Sequence, residues 1–272
     1  MRRLSAAFST ALGLVAVLSA NGQTPAPTAT TGEAPEANPG RPTVSTPATL
    51  TPVGYLQFES GAIGAWHSPE FTSRFSLNEV MKFSVASRLE LLASAEPFVH
   101  YRASGQTANG TAEVFLGAQA VVIPGEGPKP TIAASYFHRA YDGGVPEFDF
   151  GSPVNSALIL ASADVKGFHY DANAMFNELV DANVRRAQFG QSLTISHPLT
   201  HKVTLSGEIW HFTQPFLRSN TVGNLWAVSY AARKTLVIDG GFNHGLTGTS
   251  TRWEAFVGFT YLLPRSLFAH VR

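Results

Sequence analysis

The chain is predicted to be an all-β protein, a transmembrane antiparallel up-and-down β-barrel of about twelve strands, and three observations predict it. The first is the final strand-like stretch, residues 252–261, where Trp253, Ala255, Val257, Phe259 and Tyr261 alternate with mostly polar or small residues. Aromatics stand at both ends of that apolar face with small aliphatics between them. A strand of eight residues at ~3.3 Å each is ~26 Å long, or roughly 20 Å deep once tilted by ~40°, close to the ~25 Å apolar band of a membrane barrel. The second is charge: only 14% of residues are charged, against ~25% in a typical soluble domain, and no segment is long and apolar enough for a helical span. The third is that the connections between successive runs alternate between short and long, as in barrels with tight turns at one rim and loops at the other.

The amino terminus reads as an export signal. Arg2 and Arg3 precede an apolar run from Ala6 to Ala20 that ends in small residues, so residues 1–22 are expected to be removed, with the mature chain starting near Gln23. The run is too short and too rich in Ser and Thr for an uncleaved helical anchor, the competing reading. With no cysteine, neither a lipidated amino terminus nor a disulfide is available. Residues 23–52 are rich in Pro, Thr and Ala and hold almost no large apolar side chain, a composition that predicts a disordered periplasmic lead.

From residue 53 to 264 the texture becomes alternating runs broken by Gly, Pro, Asn and Asp. Twelve are placed: 55–66, 75–85, 89–98, 113–123, 131–141, 156–164, 168–177, 188–196, 203–212, 224–232, 236–244 and the closing strand. Short turns are expected at Ala86-Ser87-Arg88, at 124–128, at Lys166-Gly167, around His197-Pro198 and at Arg233-Lys234-Thr235. The longer connections, such as 102–110 and 142–153, fall between them, and Asn109-Gly110 is taken as a tight turn. A secreted β-sandwich shows similar alternation. Too few charges are present here to cover a soluble surface, whereas a closed barrel in lipid pairs every backbone group and turns its apolar face outward. Residues 265–272 form a carboxy-terminal extension, in which Phe268 stands where the aromatic at the end of a last strand would be.

The chain resembles the bacterial outer-membrane MetA-pathway of phenol degradation family over residues 41–264. The likeness rests on Arg41-Pro42-Thr43 and residues 54–61, on residues 82–91 around the first tight turn, and on Asp239-Gly240-Gly241 with Gly258-Phe259-Thr260-Tyr261. It implies an outer-membrane barrel that passes small, aromatic or apolar molecules, and it supplies no ligand residue.

If the aromatic faces meet lipid, the opposite faces line the interior with Gln57, Glu59, Lys82, Glu90, Glu113, Asp171, Asn173, Glu208, Asp239 and Glu254. Acidic groups are in surplus there, which would favour cations or neutral solutes. Alternatively these groups pair with Lys82, Arg139 and water as a polar plug. The expected work is passive passage of a small solute, with loop 142–153 and its Phe148 and Phe150 constricting the mouth. A lipid-active barrel enzyme would need a Ser and His pair, for which Ser250 with His244, or His211 above Glu208, are the nearest candidates; no compact motif of that kind is present. An adhesive barrel acting through its loops is the other alternative. Of the nine histidines, His197 and His201 have a spacing that makes a metal site only on a helix, and Pro198 between them marks a turn. No cofactor is implied, the partners are membrane lipid and a small solute, and a net charge of zero gives no reason to propose nucleic acid.

Overall fold

The structure is a computed structural model that describes residues 35–145, 153–181, 183–216 and 219–268. The expected signal peptide, residues 23–34 of the expected lead, and Phe148 and Phe150 lie outside the described residues.

Thirteen strands form one antiparallel sheet: β1 (Leu56–Trp66), β2 (Ser73–Ala86), β3 (Leu89–Ala103), β4 (Gln106–Gly110), β5 (Val114–Ile123), β6 (Thr131–Tyr141), β7 (Pro153–Val165), β8 (Phe168–Asp181), β9 (Val184–Pro198), β10 (Val203–Phe212), β11 (Thr221–Arg233), β12 (Leu236–Gly245) and β13 (Trp253–Leu262). Apart from β4, neighbours in sequence are neighbours in the sheet, and the wall closes where β1 pairs with β13 from Gln57↔Leu262 to Trp66↔Trp253. Twelve strands make the barrel. The extra one, β4, is a short hairpin arm that pairs only with the outer half of β3, from Val99↔Gly110 to Ala103↔Gln106. Its turn is Ser104-Gly105, both at positive φ. Asn109-Gly110, expected to be a tight turn, is therefore paired strand.

The reason β3 divides lies in Pro97, which has no N–H to donate. The β2–β3 register shifts between Leu77 and Glu79, where Leu77 faces Phe98 and Glu79 faces Ala95. Below that bulge β3 pairs with β5, and above it with β4.

The five short turns expected from the sequence gather on one rim. Lys166-Gly167 is the clearest: both residues have positive φ, 51° and 84°, the conformation of a two-residue turn whose twist matches the strands it joins. The other rim carries the longer connections, together with the Ser104-Gly105 turn into β4 and the two-residue link between β8 and β9.

The faces follow the alternation. On β13, Trp253, Ala255, Val257 and Phe259 are exposed, while Thr260 on the other parity is fully buried. Phe75, Leu116, Ile159, Phe189, Ile209, Trp226 and Val257, from seven strands, are all exposed. A continuous apolar outer wall of this kind is stable against lipid and not against water. Aromatics bound it, with Trp66 and Trp253 cross-strand partners toward the loop rim and Phe168 and Tyr230 toward the turn rim.

Residues 35–52 overturn one expectation. The lead from 35 onward is not a disordered tail: Ser45 and Ala48 are fully buried and Thr51 nearly so, because this stretch runs inside the barrel. Composition suggested otherwise because burial here depends on satisfied polar groups rather than on apolar area. At the other end, residues 263–268 turn back along the rim. Leu267 N–H donates to Gly54 O, and the Phe268 ring packs edge-on against Phe83 at 5.5 Å.

Two measurements check this architecture. Unboiled protein on a detergent gel should migrate faster than boiled protein. Gly241→Val should destabilise the barrel by about 1–3 kcal/mol and so lower the fast-migrating fraction, since a Cβ there would stand 2.2 Å from Trp226 O and 2.8 Å from Ala227 Cα.

Candidate functional site: an inner ring on the barrel wall

The inward face of a closed barrel is concave, and a chain segment lying on it cannot join the sheet, whose hydrogen bonds are already used along the wall. Its N–H groups must find side-chain acceptors instead. Residues 38–51 do this strand by strand. Asn38 N–H donates to Gln57 Oε1 at 2.8 Å and Gly40 N–H to Glu59 Oε1 at 2.9 Å, both on β1. Arg41 pairs with Asp239 of β12 at 3.2 Å. Val44 N–H, Ser45 N–H and Ser45 Oγ all donate to the Glu208 carboxylate of β10, at 2.6–2.8 Å. Ser45 Oγ also lies 2.9 Å from Ser192 Oγ of β9. Thr46 N–H donates to Asn173 Oδ1 of β8, and Asn173 Nδ2 returns a bond to Thr46 O. Ala48 N–H donates to Ser162 Oγ of β7, Gln119 of β5 donates to Pro47 O, and Thr51 N–H donates to Glu90 Oε1 of β3.

Along the segment, the partner strands progress from β1 through β12, β10, β9, β8 and β7 to β5 and β3, the direction in which the strands follow one another around the barrel. The segment therefore circles the inner wall once. It closes on itself where Asn38 Nδ2 donates to Thr49 O at 2.9 Å. Twelve residues, 38–49, span at most ~43 Å, so the ring is no more than about 14 Å between opposite Cα atoms. Side chains narrow it further.

Glycines make room for this ring. The Arg41 guanidinium lies flat against the wall at Gly61 of β1 and Gly258 of β13, where an added Cβ would come within 2.3 Å and 2.7 Å of it. Any larger residue at either position would push Arg41 off Asp239.

The ten residues expected inside all take the inward side, but few stand free. Gln57, Glu59, Glu90, Asn173, Glu208 and Asp239 hold the ring directly. Lys82 binds Glu59 at 2.6 Å. Asp171 accepts from Ser162 Oγ and contacts His169. Glu254 accepts from Asn243 Nδ2, and Glu113 lies 3.9 Å from Arg139, which also binds Asp142 at 2.9 Å. Glu59 and Asp239 are matched by Lys82 and Arg41 and Glu113 faces Arg139, whereas Glu90 and Glu208 are held by N–H and O–H donors of the inner segment rather than by a cation.

Three inward features were missed. Arg41 sits in a segment read as disordered. Trp210 and Phe212 on β10 are 4% exposed, with ring centroids 6.1 Å apart, and face inward beside Leu225. Trp210 lies over Gly223 and Phe212 over Gly190, each glycine its cross-strand partner, and Trp210 Nε1 donates to Asn243 Oδ1 at 2.9 Å. The signal for these two was present: they share the parity of Glu208 on the same strand, so polar and aromatic side chains occupy one face.

The candidate catalytic groups are not brought together. Ser250 Oγ donates to Val222 O and accepts from Val222 N–H, the His244 ring stacks on Trp253 at 4.2 Å, and His211 contacts Asn220. His197 stacks on Phe168 and donates to Gly167 O. Among the described residues, no group of three His, Cys, Asp or Glu side chains is arranged to hold a metal. A cavity of about 450 Å³ between Phe168, Leu193, Ile195, Leu205 and Trp226 opens on the outer wall, among lipid-facing side chains.

No protein-family model and no curated protein sequence matches the chain. Solved structures do match in fold. An outer membrane channel from Pseudomonas putida F1 superposes with a TM-score of 0.60 at 11% identity, over 79% of this chain and 98% of that one. The NanC porin superposes with a TM-score of 0.52 at 10% identity, over 76% and 98%. The chain thus has the fold of an outer-membrane β-barrel.

The seat of the ring is testable because the chain has no cysteine. In an Ala48→Cys background, where the thiol is enclosed, Glu208→Ala removes the acceptor of three bonds. It should cost about 3 kcal/mol and raise labelling by a membrane-impermeant maleimide on the order of 100-fold. Glu178→Ala at the loop rim should leave the labelling rate unchanged.

Proposed function

We propose that this protein is an outer-membrane channel that passes small molecules passively, with the inner ring of residues 38–49 as its constriction. The observation that carries this reading is the ring itself: a chain segment that follows the wall instead of crossing the lumen narrows a passage, and N–H groups from Asn38 to Ala48 are bonded to the wall. A ring no wider than about 14 Å limits the solute to small molecules. Residues 1–22 serve as the export signal in this reading, the short turns face the periplasm, and the ten inward residues line or support the path.

The resemblance to the MetA-pathway of phenol degradation family suggests an aromatic or apolar solute. Trp210 and Phe212 support that preference, since they place an aromatic surface on the inner wall, and rings pair favourably with rings in offset or edge-on arrangements. Polar groups along the rest of the wall would replace part of a solute's hydration.

Single-channel recording in planar bilayers tests this reading. The unaltered protein should give a small, steady conductance, and a variant lacking residues 38–49 a several-fold larger one. Benzyl alcohol in the bath should produce brief blockades in the unaltered protein that shorten in Trp210→Ala. Zero conductance in both the unaltered protein and the deletion variant would overturn the channel reading.

A further inference from the structure

The turn rim carries a charge pattern that passage through the lumen does not use. Every connection on this rim contributes an exposed cation: Arg88 between β2 and β3, Lys129 between β5 and β6, Lys166 between β7 and β8, Lys202 between β9 and β10, and Arg233 at the end of β11, with Arg265 following β13. None of these six makes an ion pair with a described residue. Lys234, next to Arg233, is paired with Glu36. The acidic groups of the same rim are fewer: Glu36 is that partner of Lys234, Asp164 is engaged by His169, and Glu126 stands exposed in the turn that carries Lys129, without a salt bridge to it. At the loop rim the pattern is mixed: Arg74, Arg139 and Arg185 are bound to Glu96, Asp142 and Glu178 respectively and Arg186 donates to Pro215 O, while Arg102 and Arg252 are exposed with no ion pair to a described residue.

The turns are tied to one another, which holds the cations at a common level. Val121 N–H donates to Arg88 O, Asp164 N–H to Gly127 O, Ala231 N–H to Lys202 O, Leu262 N–H to Thr235 O, Leu267 N–H to Gly54 O and Gly54 N–H to Ser84 O. With the His197 bond to Gly167 O, these links run around the whole circumference. The level is that of the edge of the apolar wall. Val122 and Ile123 before the Lys129 turn, Phe168 after Lys166, Leu199 before Lys202 and Leu267 after Arg265 are all exposed large apolar residues.

We propose that this rim is a seat for the phosphate groups of phospholipids, in which the cations bind the headgroups of the leaflet whose acyl chains cover the adjoining wall. A cation directly beyond an exposed apolar residue stands where a lipid's phosphate stands beyond its chain. The distribution argues for lipid over a single acidic protein, because the cations surround the barrel evenly, whereas a protein partner would meet one side. Anionic lipids with net charge are favoured over zwitterionic ones, whose ammonium group offsets the phosphate.

Native mass spectrometry of the full chain in detergent tests this, with dioleoyl phosphatidylglycerol and dioleoyl phosphatidylcholine added at equal concentration. The expected result is a preference for phosphatidylglycerol adducts of at least about five-fold, the ratio that one cation at an anionic surface contributes. It should be lost when the six cations are changed to Gln, and weakened in the milder variant Lys129→Gln, Lys166→Gln, Lys202→Gln, whose folding is checked by the gel shift. Raising salt from about 0.05 M to about 0.5 M should weaken it in the unaltered protein. Arg185→Gln and Arg252→Gln at the loop rim should leave it intact. Equal adducts of the two lipids, or a preference that survives in the folded triple variant, would overturn the proposal. So would cation-dependent retention on a polyglutamate resin without any lipid preference, which would assign the rim to an acidic polymer.

Discussion

Everything in this structure depends on where backbone hydrogen bonds go. In lipid an unpaired N–H or C=O has no water to turn to, so a sheet that enters a membrane must have no edge. Pairing of β1 with β13 removes the last one, and that single seam permits the outer wall to be apolar. The sheet also fixes which side chains face inward, because side chains alternate along every strand. Once the wall is closed, its inner surface has no free backbone acceptor left to offer.

That consequence explains the chemistry of the interior. A segment lying on the inner wall brings N–H groups that the sheet cannot accept, and the wall answers with Glu59, Glu90, Glu208, Asn173 and Gln57. A carboxylate suits this role because its two oxygens can accept several bonds, as Glu208 does from Val44 and Ser45. Bonds to a charged acceptor are stronger than neutral ones and hold an extended chain that has little apolar surface of its own. The surplus of acid inside the barrel is therefore a structural provision for the ring first. Any effect on solutes comes from what the ring leaves uncovered.

Glycine plays the complementary part. Gly61 and Gly258 let the Arg41 guanidinium reach Asp239, while Gly190 and Gly223 let Phe212 and Trp210 lie flat on the wall. In each case the absent Cβ is replaced by a planar group from elsewhere, so the wall is thin where the interior must be filled. The outer surface shows the reverse arrangement, with large side chains standing out toward lipid.

Much of the barrel was legible in the sequence alone. Alternation in β13, β8 and β1, the turn chemistry of Lys166-Gly167 and the shortage of charge are local properties, and local properties determine strand identity, face and hairpin pairing. The same parity placed all ten polar residues on the inward side. Only the tertiary structure decided what those residues do, because a residue such as Glu208 has no sequence neighbour that reveals its partner: Ser45 lies 163 positions away, and Arg41 lies 198 from Asp239. The lead was misread from residue 35 onward for the same reason. Composition predicts burial through apolar area, whereas this segment is buried because acceptors spread over distant strands meet its N–H groups, and that coincidence exists only after the wall has closed.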